Sequence, residues 1–310
     1  MLRHRRLLAA LLSAVALGVA GCGAPAEQEQ KPAQGQERVI NHAMGQTKIN
    51  GTPERVVVLD TGELDSALAL GVKPVGAVLP AANSKIQPYL AEKAGKVEMV
   101  GTIGSPNMEK IAALKPDLIL SSKTRDEENY DALSKIAPTV MAETVGKTWK
   151  ENFLLDAEAL GKKPQAEKIL ADYEKRAAEI GKQVGDPAAT KVSMLRFSTG
   201  NIRLYSENSF IGTILKDAGF SRPPNQKIEK TFAKLSREQI SQADGDILFY
   251  GAYGETGAKE MNDVVNSVQW STLGAVKAKK AIEVPDDTWY LGLGPIAANL
   301  VLDDLQKFLR

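Results

Sequence analysis

Three arginines carry the chemistry to be expected of this sequence. Arg125, Arg196 and Arg203 each stand at the end of a predicted strand, in a chain that otherwise leaves surface charge mostly to lysine. A guanidinium held there is a planar, permanently charged fork for a carboxylate or similar anion. Trp149, Trp289 and Tyr290 fall in strand-to-helix connections, and Tyr205 alternates with Arg203 so that both face one side of a strand. Flat aromatic faces beside fixed cations are binding chemistry. Each residue also has a structural alternative: a surface salt bridge or clamp for the arginines, core burial for the aromatics. Arg222, in the proline-bearing loop 221–227, is balanced between the two.

The usual catalytic groups are scarce. His42 is the only histidine beyond His4, and Cys22 is the only cysteine. That removes the common general base and the thiol nucleophile, leaving a carboxylate-only site as the one enzymatic option. One histidine also cannot supply the several ligands that a free transition metal wants. The Gly-rich stretch 251–257 lacks the following Lys-Ser/Thr of a phosphate-binding loop. The charge balance, 39 basic against 38 acidic residues, offers no footprint for nucleic acid.

The elements that must position these side chains are organised around residues 164–184. Ile169, Tyr173, Ala177 and Ile180 recur at helical spacing, Pro164 suits a first turn, and Gly185 with Pro187 supplies the stop. Such a helix is roughly 30 Å long, a strut about as wide as a small domain. On either side of it lies one repeated unit. Asn107, Glu109, Ile111 and Asp117 keep the same offsets as Ser236, Glu238, Ile240 and Asp246. The pattern reads as a capped short helix that delivers an aspartate to the mouth of a buried strand.

The first half opens with strand 55–59, helix 64–70 and strand 71–78, a βαβ unit with a parallel sheet. Strand 117–120 then runs into the polar loop 121–125, strand 137–141 and helix 150–160. The second half offers strands 191–197 and 201–205, helix 209–218, strand 280–284, the turn 285–289, and a terminal amphipathic helix 296–309 expected to pack on a sheet. Ligands in open α/β sheets bind at the carboxyl ends of strands, where the three arginines are placed.

Residues 1–22 read as a targeting segment. Arg3, Arg5 and Arg6 precede the apolar stretch 7–20, which is too short to span a bilayer comfortably, and small residues precede Cys22. Residues 23–37 are polar and carry almost no large apolar side chain, as a tether does. Without the three early arginines, 36 basic residues face 38 acidic ones, a charge near −2.

Several phrases carry a family resemblance: the lipobox before Cys22, IAALKPDLIL at 111–120, WKENFLLDAEALG at 149–161 and DTWYL at 287–291, on either side of the strut. Together they resemble the iron-siderophore substrate-binding lipoproteins of ABC importers, over essentially all of the mature chain. The resemblance implies an α/β fold of two Rossmann-like lobes joined by one long α-helix. The expected division is 1–22 signal, 23–37 tether, 38–162 first lobe, 163–185 interlobe helix and 186–310 second lobe. It implies a non-enzymatic clamp without cofactor, in which the chelator, not the protein, holds the iron. The ligand would contact Arg125, Trp149, Arg196, Arg203, Tyr205, Trp289 and Tyr290; Arg125 and Tyr290 match positions that the family uses on its ligand. Glu109 and Glu238 would dock the ABC permease, which works with its own cytoplasmic ATPase. Lipidation of Cys22 would hold a monomer on the extracytoplasmic face of the cell membrane. Hydroxamates of the ferrioxamine or ferrichrome kind are preferred from the actinobacterial flavour of the phrases, with haem or cobalamin as the alternative. One packed interlobe helix further implies modest closure.

Overall fold

Alternation of apolar residues begins at Arg38-Val39-Ile40, and there the chain first pairs. The computed structural model describes residues 37–81 and 84–309. The signal segment, nearly all of the tether, and Cys22 lie outside the described residues. Strand β1 (Glu37–His42) pairs antiparallel with β2 (Gly45–Asn50) across a tight turn.

The first lobe is a six-stranded sheet built from β3 (Val56–Val58), β4 (Gly76–Leu79), β5 (Glu98–Thr102), β6 (Ser105–Pro106), β7 (Leu118–Ser122) and β8 (Thr139–Ala142), in spatial order β6-β5-β4-β3-β7-β8. All its pairs are parallel except β5–β6. Val56, Val57 and Val58 are all buried, as a strand covered on both faces requires. The second lobe holds β9 (Val192–Ser198), β10 (Asn201–Tyr205), β11 (Phe232–Leu235), β12 (Ile247–Ala252) and β13 (Ala281–Glu283), ordered β11-β10-β9-β12-β13. Here β9, β12 and β13 run parallel, while β10 and β11 are antiparallel additions.

The internal repeat acquires a physical meaning. Asp117 accepts the backbone N–H groups of Glu54 and Arg55 at 2.8 and 2.9 Å, just before β3. Asp246 accepts that of Lys191 at 2.7 Å, just before β9. Each aspartate thus satisfies the donors at the entrance of its lobe's central strand, where no ladder partner exists. The first copy is an α-helix capped by Asn107; the second is a 3₁₀ helix with a Ser236–Gln239 capping box.

Helix Lys163–Gln183 joins the lobes and buries Ala166, Leu170, Tyr173, Ala177 and Ile180 on one face. Ile169 is only half-buried. Near its end it approaches the second lobe so closely that a Cβ on Gly181 would sit 1.9 Å from the Ala218 carbonyl oxygen. The core is continuous through this helix, running from Val56 and Leu120 to Val192 and Phe249.

The terminal helix, Pro295–Phe308, departs from expectation. Its Phe308 reaches Phe249 of β12, but it packs chiefly on helices: the strut, Thr61–Ala69 and the short Asp286–Trp289. The buried Asp65 of Thr61–Ala69 accepts N–H from Ile296 and Ala297 at 2.8 and 3.0 Å. A first-lobe carboxylate therefore caps the last helix of the chain, so two helices, not one, tie the lobes together. Residues 251–257 are not a loop either. Gly251 and Ala252 complete β12, and Gly254 begins helix Gly254–Val265.

Candidate ligand-binding cleft

In each sheet the strand order reverses once, between β3 and β7 and between β9 and β12. Loops leave such a switch point in opposite directions and open a crevice at the carboxyl ends of the strands. Both crevices contribute to one cleft of about 450 Å³.

On the first-lobe side, Asp60 follows β3, caps helix Thr61–Ala69 and is buried. Arg125 lies in the helical turn Lys123–Asp126 after β7, not in a loop. Buried Asp126 accepts from Ser121 and Asn129 at 2.6 and 3.0 Å and fixes that turn. Arg125 Nε donates to Asp60 at 2.7 Å across the switch point, which leaves the two terminal nitrogens of the guanidinium for a ligand. Burial opposes this charge most strongly of any single effect, but Asp60, Glu63 and Asp126 together outweigh it and hold the guanidinium's pKa above its ordinary value.

Beneath this pair lie Glu63 and Asp156, both buried, each with one carboxyl oxygen lacking a hydrogen-bond partner. Burial pushes both carboxyls up, and the neighbouring Asp60 and Asp156 charges add to the rise at Glu63.

The second-lobe side is built on β9 and β10. Arg196 donates to Asp286 through Nε and Nη2 at 2.6 and 2.5 Å, a bidentate pair, and Nη1 reaches the Tyr205 hydroxyl at 3.3 Å. Its guanidinium carbon lies 5.0 Å from the Tyr253 ring centre. Burial again opposes the charge, and the bonds to Asp286 and Tyr205 more than offset it.

Arg203 is different. Its guanidinium carbon stacks 4.6 Å from the Phe232 ring centre, no carboxylate lies within salt-bridge range among the described residues, and its buried Nε has no acceptor. An unpartnered buried donor is uncommon and costly. Here it borders a cleft.

Six of the seven expected ligand residues line the cleft: Arg125, Arg196, Arg203, Tyr205, Trp289 and Tyr290. Two of them do so in a restricted way. The Tyr290 hydroxyl is turned into the sheet, within 2.9 and 3.2 Å of the Leu195 and Phe249 carbonyls, so only its ring faces the cleft. Trp289 is fully buried, with Nε1 donating to Asp304, and backs the cleft floor.

Trp149 is a correction. It lies in the core, edge-on to Tyr173 and Phe210, with Nε1 donating to Thr213, and joins a first-lobe helix to the strut and the second lobe. An apolar ring at the start of a long helix is worth more in that junction than at the surface. Arg222 is likewise structural, donating to the carbonyls of Val192 and Tyr205 and to the Gln226 side chain; burial depresses its pKa to about 9.

The sequence reading missed Asp60, Asp286, Tyr253 and Phe232. Tyr253 stands directly after a strand and was findable by the strand-end rule. Phe232 pairs across the ladder with Tyr205, in a strand that short, mixed sequence does not announce.

A family profile for periplasmic binding proteins matches residues 56–288. The chain belongs to that family. The binding protein is 38% identical to the "Probable siderophore-binding lipoprotein YfiY" of Bacillus subtilis, over 99% of this chain and 98% of that one. It is 30% identical to the "Fe(3+)-citrate-binding protein YfmC" of the same organism, over 93% of each. Among solved structures it is similar to Staphylococcus aureus SirA complexed with staphyloferrin B, with TM-score 0.80 and 36% identity over 88% of this chain and 98% of that one. Like its relatives the binding protein is not an enzyme, and its two-lobed α/β architecture is theirs.

Proposed function

We propose that this binding protein captures a ferric siderophore between its lobes and delivers it to an ABC permease, with the iron held by the chelator. The observation that carries this reading is the arrangement of three guanidiniums around one cleft: two locked by Asp60 and Asp286, and one, on Arg203, left without a counter-ion. Locked forks orient a planar anionic ligand at little entropic cost, and Tyr253, Tyr290 and Phe232 offer flat apolar contact. The sequence leaned towards hydroxamates. The uncompensated Arg203 supports an anionic chelate over a neutral or cationic trihydroxamate.

The same proposal includes lipidation at Cys22 with cleavage of the signal segment just before it, a tether over 23–37, lobes at 38–162 and 186–310 around the helix at 163–185, and a monomer on the outer face of the cell membrane. Glu109 and Glu238, both exposed and related by the repeat, are proposed as the permease-docking points. Alanine at either should impair uptake with ligand affinity unchanged; a parallel loss of affinity would refute docking.

Titration of the full chain by calorimetry and tryptophan fluorescence tests the capture reading. The panel is ferrioxamine B, ferrichrome, ferric enterobactin, ferric citrate, ferric staphyloferrin B, haem and cobalamin. Saturable binding of one ferric chelate, weakened by Arg125→Met, is the expected result. Binding of haem or cobalamin alone, or of none of the seven, would overturn it.

A further inference from the structure

The cleft does not end at Phe232. A second groove of about 910 Å³ opens beyond it, sharing Val145, Thr231 and Phe232 with the cleft as common wall. Three lysines line this groove, Lys147, Lys230 and Lys234, and Glu229 is its one carboxylate. Among the described residues none of the three lysines forms a salt bridge, although lysines elsewhere in the chain do.

The ladder sharpens the point. Arg203 of β10 lies directly opposite Lys234 of β11 in antiparallel register, so the two cations share one face of the sheet, as do Tyr205 and Phe232 one step on. Like charges directly opposite one another destabilise a sheet. Folding gains nothing from this pair, and the chain as a whole is nearly neutral, so the local excess of positive charge is a feature of this place.

The groove wall is also held in shape. Ser206 donates its backbone N–H to the Thr231 carbonyl at 2.9 Å and its hydroxyl to that of Lys230 at 2.6 Å, and the Asn208 amide donates to that of Ile228 at 2.8 Å. Lys230 and Lys234 therefore project from a fixed backbone beside an arginine whose Nε is buried and unpartnered.

We infer that the ligand is a ferric chelate bearing at least two carboxylate arms, one received by the arginines of the cleft and the second by Lys147, Lys230 and Lys234 in the groove past Phe232. This rests on the capture reading and narrows it to one ligand class. Arg203 sits at the junction and contacts both arms.

The test is calorimetric titration of the full chain and of the Lys147→Ser/Lys230→Ser/Lys234→Ser variant, with ferric citrate, ferric staphyloferrin B and ferrioxamine B at low and high salt. All three lysines are exposed, so the variant should melt where the parent does. The better-bound of the first two chelates should lose about tenfold in affinity at low salt, with a shallower salt dependence, while ferrioxamine B is unaffected or gains. Tightest parent binding of ferrioxamine B would overturn the ligand class and leave capture standing. Unchanged affinity and salt dependence in the variant would overturn the groove alone. A parent that binds no ferric chelate would take the capture reading and this inference down together.

Discussion

Methionine at Arg203 should separate ligand binding from folding. The guanidinium stacks on Phe232, has no carboxylate partner, and leaves a buried Nε without an acceptor. Methionine keeps an unbranched apolar stem on that ring. Losing the cation–π contact costs about 0.5–1 kcal/mol, and removing the unsatisfied donor returns about 1–3 kcal/mol. The net change in stability is therefore small or favourable, and Tm should fall by no more than about 3 °C. Binding behaves differently, because a hydrogen bond to a charged group is worth about 1.5–3 kcal/mol, so an anionic chelate should bind about ten- to a hundredfold more weakly. Thermal unfolding of the free protein and calorimetric titration with the tightest chelate measure the two effects separately. A fall in Tm beyond about 5 °C with unchanged affinity would show that Arg203 serves the fold and would refute the reasoning.

Arg196→Met should be costly in the free protein, because it strands the half-buried Asp286 carboxylate; removing one partner of such a pair costs about 3–5 kcal/mol, seen as a lower urea midpoint. A midpoint equal to the parent's would count against it. Asp65→Ala leaves the N–H groups of Ile296 and Ala297 without acceptors and should cost about 2–4 kcal/mol, with hydrogen exchange rising first in helix Pro295–Phe308. Uniform exchange behaviour would argue against a local tie. Burial pushes Asp65 up to about 7 and raises Glu63 and Asp156 in the same direction. These carboxyls stay protonated in the folded chain while their unfolded counterparts ionise from about pH 4, so the unfolded state sheds protons first and stability falls as pH rises from about 4 to about 7. Tm should accordingly be lower at pH 8 than at pH 5, with Asp156→Asn reducing the slope; a Tm that climbs across this range would contradict the sign.

What the sequence determined by itself is local. The strut was legible because its burial pattern, its proline start and its glycine stop all lie within one stretch, and the periodicity of a helix is a property of neighbours three and four residues apart. The repeat was legible for the same reason, since caps and first-turn acids act over a few positions. Strand boundaries follow from nearby residues and located Arg125 just past β7, but Arg196 and Arg203 stand inside β9 and β10, not at their ends. Tertiary structure alone decided what each side chain meets. Arg125 finds Asp60 across 65 positions and Arg196 finds Asp286 across 90, while Arg203 finds no carboxylate. Trp149 and Trp289 are each preceded by threonine, yet one fills the junction with the strut and the other backs the cleft floor. The terminal helix carries an amphipathic pattern that fits a sheet or a helix equally well, and only Asp65, placed opposite its first turn by the folded chain, draws it across to the other lobe. A pattern states which face is apolar; the partner is chosen by which distant surface the fold brings within contact distance.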